Sequence, residues 1–240
     1  MTRWGDRRAH LRKRTISALY PLSRYWPLGA YEQPELWVSD ALRICYVVNP
    51  KVACSSIQVA LTEAATGTEV RGFRHNHPDV LAFRRTSFRD VPAGYFRFTF
   101  VRDPAARIVS FYKDKFLRPK QEGRGFDYAG YLSGVFAPDD SFEAVCAAIA
   151  AIPDRLSDRH FVSQGFWLDR ICRVPLDYVG HLEALSSQWP AIAQRIGREI
   201  PLPRLNSSAA IAFAPPIPHG IAVRYSSDFA RFGYAPREGG

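Results

Sequence analysis

Two segments of this chain repeat one pattern. The first is Ile44-Cys45-Tyr46-Val47-Val48-Asn49-Pro50-Lys51-Val52-Ala53-Cys54-Ser55-Ser56, and the second is Tyr95-Phe96-Arg97-Phe98-Thr99-Phe100-Val101-Arg102-Asp103-Pro104, running on to Arg107 and Ser110. Each is a short apolar run of strand type, then a loop carrying a cation, then a helix start. Units of this kind build an α/β domain with a parallel sheet. A loop from a strand end into a helix also aims backbone N–H groups and the positive helix end at whatever lies above it. Two such loops point to a nucleotide with phosphates at two places.

The composition agrees with an enzyme-sized domain and an anionic ligand. A chain of 240 residues, 47% of them hydrophobic, is long enough to bury one proper core and is not disordered. The formal charge is +9, which favours an anionic partner. Lysine occurs at positions 13, 51, 113, 115 and 120 alone, so a lysine inside the apolar 49–56 loop is not generic surface charge. Cys45, Cys54, Cys146 and Cys172 show neither CxxC pairing nor metal-ligand spacing and read as reduced, buried thiols. No apolar run approaches a membrane span and no h-region follows the N-terminal basic residues. The expected location is cytoplasmic, with membrane association through the basic N-terminus as its variant.

Residues 1–40 read as a basic, aromatic arm and 41–240 as the domain. Within the arm, 21–36 carries Pro21, Pro27 and Pro34 and reads as an extended lead-in. In the domain, Ile44–Val48 and Tyr95–Val101 read as strands, with Asp177–Gly180 as another. Helices are expected at Ser55–Ala65, Asp79–Phe88, from Pro104 to about Phe116, Phe142–Ile152 behind a Ser141 N-cap, Leu182–Ile196 interrupted by Pro190, and Val223–Phe232. Phe73–His77 reads as a strand or a loop. Residues 117–140 hold several glycines and read as a long loop, a candidate substrate lid. The expected fold is a three-layer α/β/α with a mainly parallel central sheet.

The first loop offers Lys51 as a point charge and Ser55 and Ser56 as hydroxyl donors. It contains no glycine and is not a Walker A loop, and no carboxylate stands out to hold Mg²⁺. In the second unit Arg102 can grip a phosphate bidentately and Ser110 lies two turns into the following helix. Pairing of Arg102 with Asp103 or Asp114 explains the residues equally well. Among the histidines, His75 and His77 form a His-x-His pair whose side chains share one face of an extended segment. A zinc reading of the pair lacks a third ligand in the sequence. A histidine titrating near neutrality suits proton abstraction.

Pro50-Lys51-Val52-Ala53-Cys54-Ser55-Ser56 resembles the 5′-phosphosulfate loop of carbohydrate sulfotransferases of the Golgi type, which act on chondroitin, dermatan and related glycans. Phe100 to Tyr112 is similar to that family's 3′-phosphate motif over its whole length. The resemblance implies a P-loop-NTPase-like sulfotransferase fold and the donor 3′-phosphoadenosine 5′-phosphosulfate (PAPS), released as adenosine 3′,5′-bisphosphate. It implies that Lys51, the loop residues Val52, Ala53 and Cys54, and Ser55 and Ser56 meet the 5′ end. It gives Arg102 and Ser110 the 3′-phosphate and leaves Arg107 supporting the loop or the helix. The His75/His77 pair resembles the His-x-His of uronyl 2-O-sulfotransferases, which implies His77 as base and His75 as its neighbour or a substrate contact. Asp158-Arg159-His160-Phe161-Val162-Ser163-Gln164 resembles a family segment placed near the acceptor, making His160 the second candidate for the base and a substrate contact. Lys113 and Lys115 are further candidates to hold an acidic acceptor.

Tyr178-Val179-Gly180-His181-Leu182-Glu183, Leu202-Pro203-x-x-Asn206-Ser207-Ser208 and the stretch from Tyr225 to Tyr234 resemble three further family motifs. The second of these implies Asn206 and Ser207 as nucleotide contacts. The likeness spans roughly 44–234. The chain shows no transmembrane anchor and no paired luminal cysteines, so the expectation is a soluble bacterial relative acting on a carbohydrate or polysaccharide hydroxyl, without a metal. Two other classes stay open: a nucleotide-dependent phosphotransferase, and a non-catalytic polyanion binder on the same fold. No nucleic-acid-binding module is recognised.

Overall fold

The computed structural model describes residues 2–23, with side chains from Arg7 on, and 28–72, 77–172, 174–203, 205 and 211–236. In chain order its elements are helix α1 (Thr2–Leu19), strands β1 (Leu36–Ser39) and β2 (Ile44–Val47), helices α2 (Cys54–Thr66) and α3 (Pro78–Leu81), and strands β3 (Arg84–Arg85) and β4 (Phe96–Val101). Helices α4 (Pro104–Tyr112), α5 (Arg118–Glu122), α6 (Phe142–Ala151) and α7 (Gln164–Ile171) follow, then strand β5 (Tyr178–His181) and helices α8 (Leu185–Ile196), α9 (His219–Arg224) and α10 (Ser226–Arg231). Two units interleave along the chain. A sheet unit takes 34–103 and 164–207, and a helical unit takes 1–33, 104–163 and 208–240.

The sheet unit carries five strands in the order β3-β1-β2-β4-β5. The two strand–loop–helix segments supply β2 and β4, which run parallel with Tyr46 opposite Phe98, and β5 adds in parallel with Tyr178 opposite Phe98. The expected mainly parallel sheet is corrected here to a mixed one. β1 pairs antiparallel with β2, and β3 antiparallel with β1. The reason is local: Asp40 to Arg43 is too short for a crossover, so Leu36–Ser39 folds back on β2 as a hairpin. Arg84 and Arg85 then form a two-residue edge strand where a helix was expected, and the α3 helix is a single turn. Pairing with a neighbouring strand overrides local helix preference there.

Both faces of the central strands are buried, as unbroken apolar runs require. On one side Tyr46, Phe98 and Phe100 pack with Ile57 and Leu61 of α2 and with Trp189 and Ile192 of α8. On the other, Cys45, Val47, Thr99 and Val101 are buried as well. Gly180 permits a close approach in the sheet: a Cβ there would sit 2.3 Å from Phe100 Cε1. Helix α8 continues through Pro190 rather than breaking at it.

The helical unit is built on aromatic side chains, with Phe111, Phe116, Tyr128, Tyr131, Phe136 and Phe161 in one buried cluster. Phe111 stands edge-on to Tyr128 at 5.4 Å and Phe161 at 5.3 Å, a favoured ring geometry. The helix expected to reach Phe116 keeps α-helical bonding to Tyr112 and passes through a π-helical turn, Lys113–Leu117, into α5. The expected 117–140 loop therefore starts as helix. Ser141 caps α6 as expected, its Oγ accepting from the Ala144 amide at 3.2 Å. The final helix is two short ones, α9 and α10.

Candidate functional site

In the sheet unit the chain leaves β2 through a strained loop. Lys51 has φ 70° and Ala53 φ 50°, left-handed values that non-glycine residues adopt at a cost. Such conformations persist where surrounding contacts over-determine them, and those contacts are present. Asn49 is fully buried, and its Nδ2 donates to the Phe100 carbonyl (3.1 Å) and to Gln164 Oε1 (3.0 Å). Gln164, also fully buried, accepts from the Arg102 amide (3.0 Å) through Oε1 and donates from Nε2 to the Arg102 carbonyl (2.8 Å). Arg102 Nη1 donates to the Lys51 carbonyl at 3.1 Å. Trp167 Nε1 donates to the Val48 carbonyl at 3.0 Å. The two cationic loops are thus tied to each other and to the start of α7.

Among the described residues no side chain caps the N-terminus of α2, and its first turn holds no acidic residue. A thirteen-residue helix whose first turn carries no acidic side chain offers its positive end to an anion, which suits a phosphate. Val52, Ser55 and Ser56 are buried, whereas Lys51, Ala53 and Cys54 are half-buried. Ser56 Oγ accepts from the Leu205 amide at 3.0 Å, which draws Leu205 to the loop. Asn49 Oδ1 is buried with no hydrogen-bond partner among the described residues. Glu183 of the Tyr178–Glu183 motif accepts from the Asp103 amide at 3.0 Å and so fixes the end of β4.

In the helical unit, Ser110 is buried on α4. Arg107, buried on the same helix, donates to the Val162 carbonyl (2.6 Å) and to the Arg159 carbonyl (2.9 Å). The supporting part expected for Arg107 is what these bonds perform. They hold the segment that carries Asp158 and His160. Asp158 Oδ1 lies 2.6 Å from His160 Nδ1 and accepts from the Tyr128 hydroxyl at 2.8 Å. Burial works to raise the Asp158 carboxyl, but the His160 ring, Glu32 and Lys13 outweigh it and hold it well below the usual carboxylate range. Glu32, bridged to Lys13 (2.5 Å) and Arg159 (3.2 Å), is shifted the other way by burial and by the Asp158 charge.

Asp158 and His160 line a cleft of about 630 Å³, together with His10, Lys13 and Arg14 of α1 and Lys115 of the π-helical turn. Lys115 is paired there with Asp127 at 3.0 Å, and Lys113 is half-buried. His77, at the start of α3 in the sheet unit, has a buried Nδ1 with no hydrogen-bond partner among the described residues and lies 3.8 Å from Asp79. His75, Asn206 and Ser207 lie outside the described residues. Among those described, no group of three or more His, Cys, Asp or Glu side chains is arranged to hold a metal ion. Burial pushes the Cys45 and Cys146 thiols up to about 12, far from a reactive thiolate.

The bond from Arg102 Nη1 to the Lys51 carbonyl makes the two cationic loops neighbours. What the sequence reading missed is the work of Asn49, Gln164 and Glu183. Gln164 belonged to a segment placed near the acceptor, yet it is the side chain that locks the two cationic loops. The usable signal was a glutamine at a helix start inside an otherwise apolar neighbourhood, Phe161-Val162-Ser163-Gln164-Gly165-Phe166-Trp167.

A family model described as "Sulfotransferase family" matches residues 34–235. Among curated proteins, carbohydrate sulfotransferase 14 of Homo sapiens is 30% identical over 165 residues, covering 62% of this chain and 43% of that protein. The same enzyme of Danio rerio is 26% identical over 197 residues, covering 72% and 52%, and that of Mus musculus 31% over 165 residues, covering 62% and 43%. The chain spans about half the length of these relatives. No solved structure matches it. These matches overturn the expected cytoplasmic location, because the enzymes of Golgi type that the motifs resemble do not work in the cytoplasm. Among the described residues no helix is long and apolar enough to cross a membrane. With a family match over 34–235 and relatives that are themselves carbohydrate sulfotransferases, the chain belongs to the sulfotransferase family.

Proposed function

We propose that this protein moves the sulfuryl group of PAPS to a hydroxyl of a carbohydrate acceptor by in-line displacement. The observation that carries the reading is the strained 49–56 loop, with Lys51 and Ala53 left-handed and its backbone gripped by Arg102. Such a loop at an uncapped helix end fits a phosphate, and the cations on both loops fit a ligand charged at two ends. Lys51, with the amides of Val52 to Cys54 and the hydroxyls of Ser55 and Ser56, holds the 5′ end and meets the charge that builds on the leaving phosphate. Arg102 and Ser110, from one continuous motif, hold the 3′-phosphate, and Asn206 and Ser207 are the further nucleotide contacts that the motif resemblance implies.

When bound, the donor supplies an activated sulfuryl group. The protein's task is then to position it, to bind the acceptor and to take one proton. A histidine takes that proton: the motif resemblance points to His77 with His75 beside it, and His160, whose Nδ1 lies 2.6 Å from Asp158 Oδ1, is the second candidate. The acceptor is a carbohydrate, and Lys113 and Lys115 suit an acidic one. A phosphotransferase reading lacks the glycine-rich loop, and a purely polyanion-binding reading leaves the strained loop without a use.

Thermal unfolding with adenosine 3′,5′-bisphosphate, ADP or AMP tests the donor site. A ligand at 100 times its Kd adds roughly 2.7 kcal/mol to stability. The expected result is stabilisation by the bisphosphate above the other two, lost in Arg102→Ala and reduced in Lys51→Ala. Equal response to the three nucleotides would remove the sulfotransfer reading.

A further inference from the structure

We propose that the cleft of the helical unit binds an acidic saccharide, and that α1 supplies the wall that recognises its acid group. The choice of a saccharide rests on the sulfotransfer reading above. The cleft measures about 630 Å³, the size of a small-molecule site, and the residues that line it all belong to the helical unit. His10, Lys13, Arg14, Ser17 and Ala18 lie at i, i+3, i+4, i+7 and i+8, so one stripe of α1 faces it. The family match begins at residue 34, so this wall stands outside the family's shared motifs.

The wall is built into the unit. Ser17 Oγ accepts from the Leu132 amide at 3.3 Å, and the Ser17 carbonyl accepts from Ser133 Oγ at 2.6 Å. Leu132 has φ 42° and Ser133 φ 61°, left-handed values that cost energy in non-glycine residues. Helix α1 thus holds a strained turn whose Tyr131 and Ser133 also line the cleft. Lys13 bridges to the buried Glu32 at 2.5 Å and stands 5.0 Å from the centre of the Tyr31 ring. Tyr31 in turn meets Tyr131 edge-on at 5.0 Å.

The charges that line the cleft are of both signs, and their pairing selects the ligand. Lys115 is bridged to Asp127 at 3.0 Å, and Asp158 Oδ1 lies 2.6 Å from His160 Nδ1. Arg14 is exposed and makes no ion pair or side-chain hydrogen bond among the described residues, so its guanidinium keeps its donors for a ligand's acid group. His10, one turn earlier on the same stripe, sets an exposed imidazole beside it. The carboxylates of Asp127 and Asp158 accept hydrogen bonds from neutral hydroxyls and repel a densely charged ligand such as a polyphosphate. Tyr31, Tyr128 and Tyr131 add ring surface against which the apolar face of a sugar can lie. A ligand rich in hydroxyls, with its acid groups spaced apart, satisfies all three features. A neutral sugar leaves Arg14 unused, and a polyphosphate meets the two carboxylates.

The test is titration calorimetry of the full chain with a hexasaccharide of alternating glucuronate and N-acetylhexosamine, and with the same saccharide after reduction of its carboxyls to alcohols. Wild type is compared with Arg14→Gln, Arg14→Lys, His10→Gln and Arg8→Gln. Arg8 is exposed on α1 and does not line the cleft, so Arg8→Gln removes the same charge as Arg14→Gln from outside the site. Bisphosphate-induced stabilisation is the folding and donor-site control. The acidic saccharide should bind wild type about tenfold or more tighter than the reduced one, the scale of a charge-assisted hydrogen bond. Arg14→Gln should abolish that preference, His10→Gln should reduce it, Arg14→Lys should keep part of it, and Arg8→Gln should leave it unchanged. Equal losses in Arg8→Gln and Arg14→Gln would assign the binding to overall charge and overturn the proposal. Equal binding of the two saccharides, or none to wild type, would overturn it as well. In each of those cases a retained preference for the bisphosphate leaves the sulfotransfer reading standing. Loss of that preference with saccharide binding as expected would overturn the sulfotransfer reading and keep the cleft as a saccharide site.

Discussion

Gln164 shows how much one side chain can hold. It is buried, and its two polar atoms serve Asn49 and both main-chain groups of Arg102. Gln164→Ala removes the partner of both main-chain groups of the half-buried Arg102 and one of the two acceptors of Asn49 Nδ2, which keeps the Phe100 carbonyl; a buried polar group left unpaired costs about 1–3 kcal/mol. We expect a loss of at least about 2 kcal/mol in urea unfolding, and loss of bisphosphate stabilisation beyond what the lower stability explains. Retained binding would mean that the loops keep their register without it. Asp158 gives a prediction in pH. Its folded carboxyl is held below the ordinary value near 3.9, so its contribution is fully present above that value and is lost as pH falls through the folded one. Asp158→Asn should therefore be less stable than wild type at pH 6 and lose less on acidification from pH 5 to pH 2. Parallel curves for the two proteins in denaturant midpoints would refute the ionised pair.

At the scale of elements, Gly180 in β5 is the sharpest constraint. An added Cβ would meet Phe100 Cε1 at 2.3 Å and Cδ1 at 2.5 Å, and both ring and strand are packed. Gly180→Ala should cost about 1–3 kcal/mol by overpacking, read as a lower urea midpoint, and Gly180→Ala with Phe100→Leu should recover part of it. The elements legible in the sequence were those with a strong local signal: the apolar runs of β2 and β4, the helix start at Pro104, and the Ser141 cap. Those missed had none. Leu36–Ser39 is four residues beside a proline-rich lead-in, and Arg84–Arg85 is two arginines that become a strand only by pairing with β1. The π-helical turn at Lys113–Leu117 has no sequence signature that we used. The site divides in the same way. Lys51 and Arg102 stood in motifs, whereas Gln164 reaches partners 62 and 115 residues away, a distance at which local pattern carries no information.

At the scale of the whole molecule the formal charge of +9 acts through the long-range field and not through any single pair. Many cations near the helical-unit cleft are already bridged, Lys13 to Glu32 and Lys115 to Asp127 among them, so simple counts overstate the pull on a bound ligand. The field should still steer an acidic acceptor before contact. Screening shortens its reach from about 10 Å at 0.1 M salt to about 3 Å at 1 M. For an acidic polysaccharide we expect kcat/KM to fall steeply, by about tenfold or more, over that range, because steered association is the ionic-strength-dependent step. A neutral oligosaccharide measured beside it should keep its value apart from the common loss in donor binding, which bisphosphate titration at each salt concentration supplies. Equal salt slopes for the two acceptors would place the whole electrostatic effect on the nucleotide loops and leave the excess charge without a part in acceptor choice.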